Sequence, residues 1–186
     1  MNTLISLCIG IGLSTATGFR ILVPFACLSV AALYGNLALP AEMAWLDSNL
    51  ALIGLVFATL LEIAAYYIPW VNDALDTVEL PASVIAGTYL TGAFAADLPT
   101  LLQWSLALVA GGGIAGSVNG LTGMTRLATN SATGGLATPV TSSLEWMSSL
   151  MLAILAITLP LLALILSVFL LFYVLGKFKK RKRKTP

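Results

Sequence analysis

Histidine is absent from this 186-residue chain, and cysteine occurs only at Cys8 and Cys27. Zinc sites, haem ligation and cysteine–histidine nucleophiles draw on these two residue types, so we expect no cofactor. If both cysteines lie on one helix, the nineteen positions between them correspond to about 28 Å, which is too far for a disulfide. Any functional site must therefore use carboxylates, arginine, hydroxyls and backbone groups.

Charge is also scarce: 9% of the residues are charged, whereas 59% are hydrophobic. Soluble domains are roughly 45 to 50% apolar and about 25% charged. This composition predicts an all-α integral membrane protein with the lipid bilayer as its main partner.

The basic residues are concentrated at one end, because seven of the nine lie within residues 177–186. The positive-inside rule predicts a single transmembrane domain at residues 1–176, followed by a cytoplasmic tail. Such a tail can also bind anionic lipids. We expect no nucleic-acid binding, since no folded basic module accompanies it.

Five hydrophobic segments follow one another, at residues 3–34, 50–68, 82–96, 101–127 and 144–176. The first is longer than one straight crossing requires, so we expect it to be strongly tilted or to have a break near Gly18 or Pro24. The last has no turn residue except Pro160, which favours one kinked helix and five spans in total. Six spans is the alternative. With the tail inside, five spans place the N-terminus outside and six place it inside.

Two glycine-broken segments, at residues 10–24 and 111–145, interrupt the apolar pattern, and each combines a four-residue ladder of small residues with an arginine. The first set is Gly10, Ser14, Gly18 and Arg20, and the second is Gly112, Gly116, Gly120 and Arg126. This predicts an internal repeat with halves 1–97 and 98–176, an arrangement from which many transporters build a central site. The glycines indicate either close helix packing or a helix that unwinds around a solute.

Five polar residues on or beside the apolar segments are candidates for an ion or solute pathway: Arg20, Glu62, Asn119, Arg126 and Glu145. Lipid exposure would cost each charged member about 2.5 to 3.5 kcal/mol, so they should face the interior. We expect an Arg20–Glu62 pair, structural or functional, and an interfacial Arg126–Glu145 salt bridge across the base of a loop at residues 129–143. Ser142 to Glu145 also fits a capping box.

The segment between the second and third spans is acidic and contains Glu79, and we expect Pro81 to open the third span. The oxygens of Asn72, Asp73 and Asp76, together with Glu79, could hold Mg²⁺ or Ca²⁺. The spacing matches no known calcium loop. A solvated acidic loop is the alternative interpretation.

Three blocks of the sequence suggest a family. They are GFRILVP at residues 18–24, then Glu62, Ile68, Pro69, Asp76 and Pro81, then TGGL at residues 133–136 with Pro139, Ser142 and Glu145. Together they resemble the bacterial domain-of-unknown-function 4126 membrane proteins, from about Leu4 to the basic tail. The resemblance implies a multi-span protein of the bacterial inner membrane and no established activity. This chain departs from the family pattern at Tyr66, Tyr67, Asn72, Leu80 and Trp146.

The residues favour a small transporter or channel for an ion or small solute, with its polar site between the two glycine-broken segments. The alternative is a non-catalytic structural protein that interacts with lipid or protein. A membrane enzyme is a third hypothesis, although no nucleophile and base are arranged together. Small residues at this frequency also make a homo-oligomer plausible.

Overall fold

The described part of the protein, in a computed structural model, comprises residues 2–182, without the side chains at positions 66, 69, 70, 72–74, 76, 175 and 177–182. It is entirely helical, as expected. The α-helices are α1 (Thr3–Thr17), α2 (Leu22–Gly35), α3 (Asn49–Tyr66), α4 (Pro69–Phe94), α5 (Thr100–Leu106), α6 (Gly113–Thr133), α7 (Thr138–Thr158) and α8 (Pro160–Lys182). A 3₁₀ helix at Ala41–Leu46 precedes α3, and a π-helical turn at Ala107–Gly112 joins α5 to α6.

Two of the described helical segments, Thr100–Thr133 and Thr138–Thr158, are long and apolar enough to cross a membrane. Four shorter apolar helices accompany them, at Thr3–Thr17, Leu22–Gly35, Asn49–Ala65 and Pro160–Val174. These features are weak evidence for a membrane protein, and the number of spans stays a prediction.

Helix α1 is the centre of the structure, because every residue from Cys8 to Thr17 is buried. It packs antiparallel to α4. Gly10 lies against Thr91, where an added Cβ would come within 3.0 Å of the Thr91 Cα. One turn later, Ser14 Oγ donates to the Gly87 carbonyl at 2.6 Å. The absence of a side chain at Gly10 therefore permits the close approach, and the Ser14 hydroxyl fixes its register.

Helices α1 and α2 form a hairpin whose tip is residues 18–21. The order of the contacts with α4 shows the reversal. Along α1 the contacts move from Thr91 toward Gly87. On α2, however, Phe25 stacks on Tyr89, with ring centroids 6.4 Å apart. The chain has thus turned back along α4. The expected break therefore lies between Thr17 and Leu22, and Pro24 occupies the first turn of α2, where its missing amide hydrogen costs least.

Helices α7 and α8 also fold back on each other, so the expectation of one kinked helix over residues 144–176 is wrong. A Cβ at Gly12 would lie 2.8 Å from Ala156 Cβ and 3.1 Å from Ala163 Cβ, which puts the last two within about 6 Å of each other. Seven residues of straight helix advance about 10.5 Å. Helix α7 ends at Thr158, the following residue Leu159 has φ −132° and ψ 68°, and Pro160 begins α8.

Contacts with α1 confirm the reversal. Those of α7 run in opposite order to α1: Gly12 with Ala156, Ala16 with Ser149 and Arg20 with Glu145. Those of α8 run in the same order: Gly12 with Ala163 and Thr15 with Ser167. Helix α7 is therefore antiparallel to α1, and α8 is parallel to it.

The second glycine-broken segment is not unwound as far as Thr133. It is continuous helix from the π-helical turn through α6, and Gly111, Gly112 and Gly116 pack against α4. An added Cβ at Gly111 would collide with the Gly87 carbonyl and the Thr91 hydroxyl, and one at Gly116 would lie 2.7 Å from Val84 Cγ2. Close packing is therefore the role of this part of the ladder.

Two expected loops are largely helical. Residues 71–80 lie within α4, which begins at Pro69 and continues through Pro81. Only four residues separate α6 from α7, and two of them, Gly134 and Gly135, have φ of 61° and 87°. This tight turn needs glycine because L side chains rarely adopt positive φ.

A buried arginine–glutamate cluster at the tip of the helical hairpin

The tip of the α1–α2 hairpin carries a buried arginine. Arg20 is 1% exposed, and its Nη2 donates to Glu145 Oε2 at 2.8 Å. Ser149 on α7 donates from Oγ to the carbonyl oxygens of Ala16 and Arg20, at 2.9 and 3.3 Å. Helix α7 thus supplies the glutamate that pairs with Arg20. It also supplies a hydroxyl group that donates to unpaired carbonyl oxygens at the end of α1.

Arg126 on α6 links two glutamates on different helices. Its Nε donates to Glu145 Oε1 at 3.1 Å, and its Nη2 donates to Glu79 Oε2 at 3.3 Å. Arg126 is fully buried, and Glu79 and Glu145 are 4% and 7% exposed. Each carboxylate oxygen of Glu145 therefore accepts a hydrogen bond from an arginine, and the two arginines come from the two glycine-broken segments.

Glu62 on α3 binds the same hairpin tip through its backbone. Its two carboxylate oxygens accept from the amides of Ile21 and Leu22 at 3.1 and 3.2 Å. These amides begin α2, where unpaired N–H groups and the helix dipole favour a negative charge. Arg20 pairs with Glu145 rather than in the expected way with Glu62, so Glu62 acts here as a helix cap.

We call these five side chains the charged cluster: Arg20, Glu62, Glu79, Arg126 and Glu145. Four of its members were identified from the sequence, and the fifth, Glu79, was assigned to an acidic loop. The sequence does contain a signal that Glu79 is buried. Glu79 has the helical spacing with Ser83, Gly87 and Leu90, and these residues lie on the buried face of α4. Pro81 obscured that pattern by suggesting a helix start.

Asn119, the remaining candidate, lies on α6 two turns before Arg126 and is 5% exposed. Its neighbour Val118 packs against the hairpin tip, because an added Cβ at Gly18 would be 2.6 Å from Val118 Cβ. Within the described residues, neither Asn119 Nδ2 nor Glu79 Oε1 has a hydrogen-bond partner. Buried polar atoms of this kind are uncommon and require an explanation.

The expectations for the start of α7 are corrected in two respects. Ser142 is not a helix cap, since α7 begins at Thr138 and Ser142 is buried inside it. The Arg126–Glu145 salt bridge forms, but it joins α6 to α7 inside the protein rather than closing the base of a long loop. The helix starts earlier than the apolar run, which moves both residues inward.

A cleft of about 420 Å³ runs between α3 and α4 and ends at the charged cluster. Eight of its lining residues are apolar and two are carboxylates, and all ten are Ile21, Leu22, Ala58, Leu61, Glu62, Ala65, Leu75, Val78, Glu79 and Ala82. We call it the carboxylate cleft. Its polar end belongs to the cluster, and its walls are hydrocarbon.

A metal site is not evident among the described side chains, since no group of three or more acidic, cysteine or histidine residues is placed to hold one. The side chains of Asn72, Asp73 and Asp76 lie outside the described part, as do those of the basic tail. The cation site and the lipid-binding tail therefore stay predictions.

Comparison with known proteins gives a family. No curated protein and no solved structure matches the chain significantly. The model of one protein family, described as "Domain of unknown function (DUF4126)", matches residues 7–180. Because this match covers nearly the whole chain, including both arginines and all three glutamates of the charged cluster, the protein belongs to the DUF4126 family.

Proposed function

We propose that this protein is a small membrane transporter for an ion or small solute that passes the charged cluster. The observation that carries the proposal is the burial of four ionisable side chains, each at most 7% exposed, at one point of an otherwise apolar helical protein. Charges at membrane depth are costly and commonly mark substrate or ion pathways.

The hairpin geometry supports this role. Helices α1 and α2 have 15 and 14 residues, or about 22 and 21 Å, whereas the hydrocarbon core is about 30 Å thick. A hairpin of that length ends inside the bilayer, with Arg20 at its tip. Transporters often place broken helices and their exposed termini at such a midplane site.

The helix directions define the topology that we propose. Five segments cross the membrane, namely α3, α4, the helix Thr100–Thr133, α7 and α8, and the α1–α2 hairpin enters and leaves on one side. The N-terminus and the basic tail then lie on opposite sides. With the tail in the cytoplasm, the N-terminus is outside the bacterial inner membrane.

A transporter fits the cluster better than an open channel. Arg20, Glu79, Arg126 and Glu145 are almost completely buried, whereas an open channel requires a continuous water-filled path past its charges. Passage of a solute therefore requires the ion pairs to rearrange.

The test is flux into proteoliposomes, with proton, sodium, potassium and chloride gradients imposed in turn. We compare wild type with Glu79→Gln and with Glu42→Gln, a matched change at an exposed glutamate of the 3₁₀ helix. We expect wild type and Glu42→Gln to conduct one of these ions equally and Glu79→Gln to conduct at least tenfold less. Flux that is unchanged in Glu79→Gln would contradict the proposal.

A structural role is the second candidate, because the arginines form ion pairs with two of the glutamates and the glycine contacts are tight. Under this hypothesis the cluster only holds the hairpin tip and α3, α4, α6 and α7 together. One variant, Glu79→Gln, distinguishes the two roles. If it unfolds like wild type but lacks flux, the result supports transport. If liposomes that contain the wild-type protein show no flux, and if variants impair growth only when they unfold more easily, the results support the structural role.

A further inference from the structure

We infer that the carboxylate cleft binds an amphipathic organic cation carrying a single positive charge, and that this class of molecule is the transported substrate. The second part rests on the proposed function. The first part concerns binding and can be tested alone.

The cleft has the dimensions and lining of a small-molecule site. Its volume is about 420 Å³, within the roughly 300 to 1,000 Å³ of typical ligand pockets. Such pockets are mostly apolar with a few placed polar groups. Here the placed groups are Glu62 and Glu79, and both are acidic.

Glu79 supplies the independent sign of a ligand. It is 4% exposed and lines the cleft, and its Oε1 has no hydrogen-bond partner among the described residues. Its other oxygen, Oε2, is held by Arg126. A buried carboxylate oxygen without a partner costs free energy unless a donor or a positive charge is bound to it.

The charge count favours a cation. Among the described side chains, the cluster contains two arginines and three glutamates, so with all five ionised these side chains carry one excess negative charge. Glu62 adds to the negative potential of the cleft while its oxygens cap α2. A single positive charge in the cleft compensates this excess, whereas an anion would face two carboxylates.

The apolar walls favour an organic cation over a bare metal ion. Ca²⁺ takes six to eight oxygen ligands and Mg²⁺ an octahedral set, which a cleft lined by leucine, alanine and valine does not offer. Hydrocarbon groups on the ligand would instead gain about 25 cal/mol for each Å² buried. Leu61 and Val78 at the cleft are 54% and 62% exposed, so the cleft opens on the apolar outer face, where a molecule dissolved in lipid can enter.

The experiment measures equilibrium binding of radiolabelled tetraphenylphosphonium to the purified, detergent-solubilised full chain. Tetraphenylborate, which has the same shape and the opposite charge, is the matched ligand control. The variants are Glu79→Gln, Ala58→Phe, which fills the cleft without touching an ion pair, and Ala64→Phe, the same change at an exposed position of the same helix.

We expect saturable binding of the cation and none of the anion. Glu79→Gln should weaken binding at least tenfold, Ala58→Phe should abolish it, and Ala64→Phe should leave it unchanged. If Glu79→Gln does not fold, Ala58→Phe decides alone. Equal binding of both ions, or binding unaffected by Ala58→Phe, overturns the inference.

The binding and flux results also separate the two proposals. If the protein binds the cation saturably but transports neither the inorganic ions nor tetraphenylphosphonium, the binding site is supported and the transport function is refuted. Flux of an inorganic ion by a protein that does not bind tetraphenylphosphonium retains transport and removes the site.

Discussion

Glu145 is the residue on which the interior charges converge. It accepts from Arg20 at the tip of the first hairpin and from Arg126 on α6. Removing one partner of a buried pair leaves an uncompensated charge, which costs far more than the net worth of the pair.

We therefore predict that Glu145→Leu destabilises the protein by about 3 to 5 kcal/mol. The measurement is denaturant titration of the detergent-solubilised protein, with Met147→Leu, an exposed position on the same helix, as the control. The control should differ little from wild type. A loss below about 1 kcal/mol for Glu145→Leu would show that neither arginine depends on it.

At the scale of residues the sequence predicted four of the five interior charges and the Arg126–Glu145 pair, but not the partners of Arg20 and Glu62. Arg20, Glu62, Arg126 and Glu145 stand out because charge within an apolar run is costly and must be buried. Their partners depend on helix directions, which a single sequence with five or six possible spans does not determine. Glu79 was missed because Pro81 suggested that a helix begins after it, whereas α4 runs through that proline.

Among the elements, the glycines of the second half differ in role along one continuous helix. Gly111 lies against the α4 backbone, whereas Gly123 has no atom within 4 Å of an added Cβ. Both glycines lie next to the four-residue ladder of Gly112, Gly116 and Gly120, and only the structure distinguishes the packed position from the open one.

We predict opposite effects of alanine at these two positions. Gly111→Ala should destabilise by about 1 to 3 kcal/mol because the new methyl group overpacks against Gly87 and Thr91. Gly123→Ala should stabilise by up to about 1 kcal/mol through helix propensity. Thermal unfolding of the two variants compares them directly, and equal shifts would contradict the packing of the π-helical turn on α4.

The α7–α8 reversal also tests the fold at the level of elements. The hydroxyls of Thr15 and Ser167 are 2.7 Å apart, which requires α8 to run beside α1 in the same direction. In a background with Cys8→Ala and Cys27→Ala, we predict that Thr15→Cys with Ser167→Cys forms a disulfide on mild oxidation. Mass spectrometry of the linked peptides reports it, and the pair Thr15→Cys with Thr158→Cys, which lies at the α7–α8 turn, should stay unlinked. Linkage of the second pair and not the first would refute the reversal.

For the whole molecule, the topology that we propose has the same five spans and outside N-terminus as the sequence-based expectation, but it assigns the spans differently. The expectation counted residues 3–34 and 144–176 as one span each. We now propose that the first is a hairpin that does not cross and that the second contains two crossing helices. The two differences cancel in the total number of spans, so that number alone could not reveal which helices cross the membrane. The internal repeat and the homo-oligomer stay predictions.

This topology predicts that the α4–α5 turn and the α6–α7 turn lie on opposite sides of the membrane. In the same cysteine-free background, Ala96→Cys should react with an impermeant maleimide added to intact spheroplasts, and Leu136→Cys only after permeabilisation. Both positions are exposed. Labelling of both under the same condition would require another arrangement of the helices.

The most direct test of the central claim is the accessibility of the interior beside the charged cluster. In the cysteine-free background, Asn119→Cys is exposed to an impermeant methanethiosulfonate in right-side-out and inside-out vesicles, with Leu136→Cys as the control. If a solute passes the cluster, Asn119→Cys should react in at least one orientation, more slowly than the control. Complete protection in both orientations would mean that the cluster is sealed packing and would contradict transport through it.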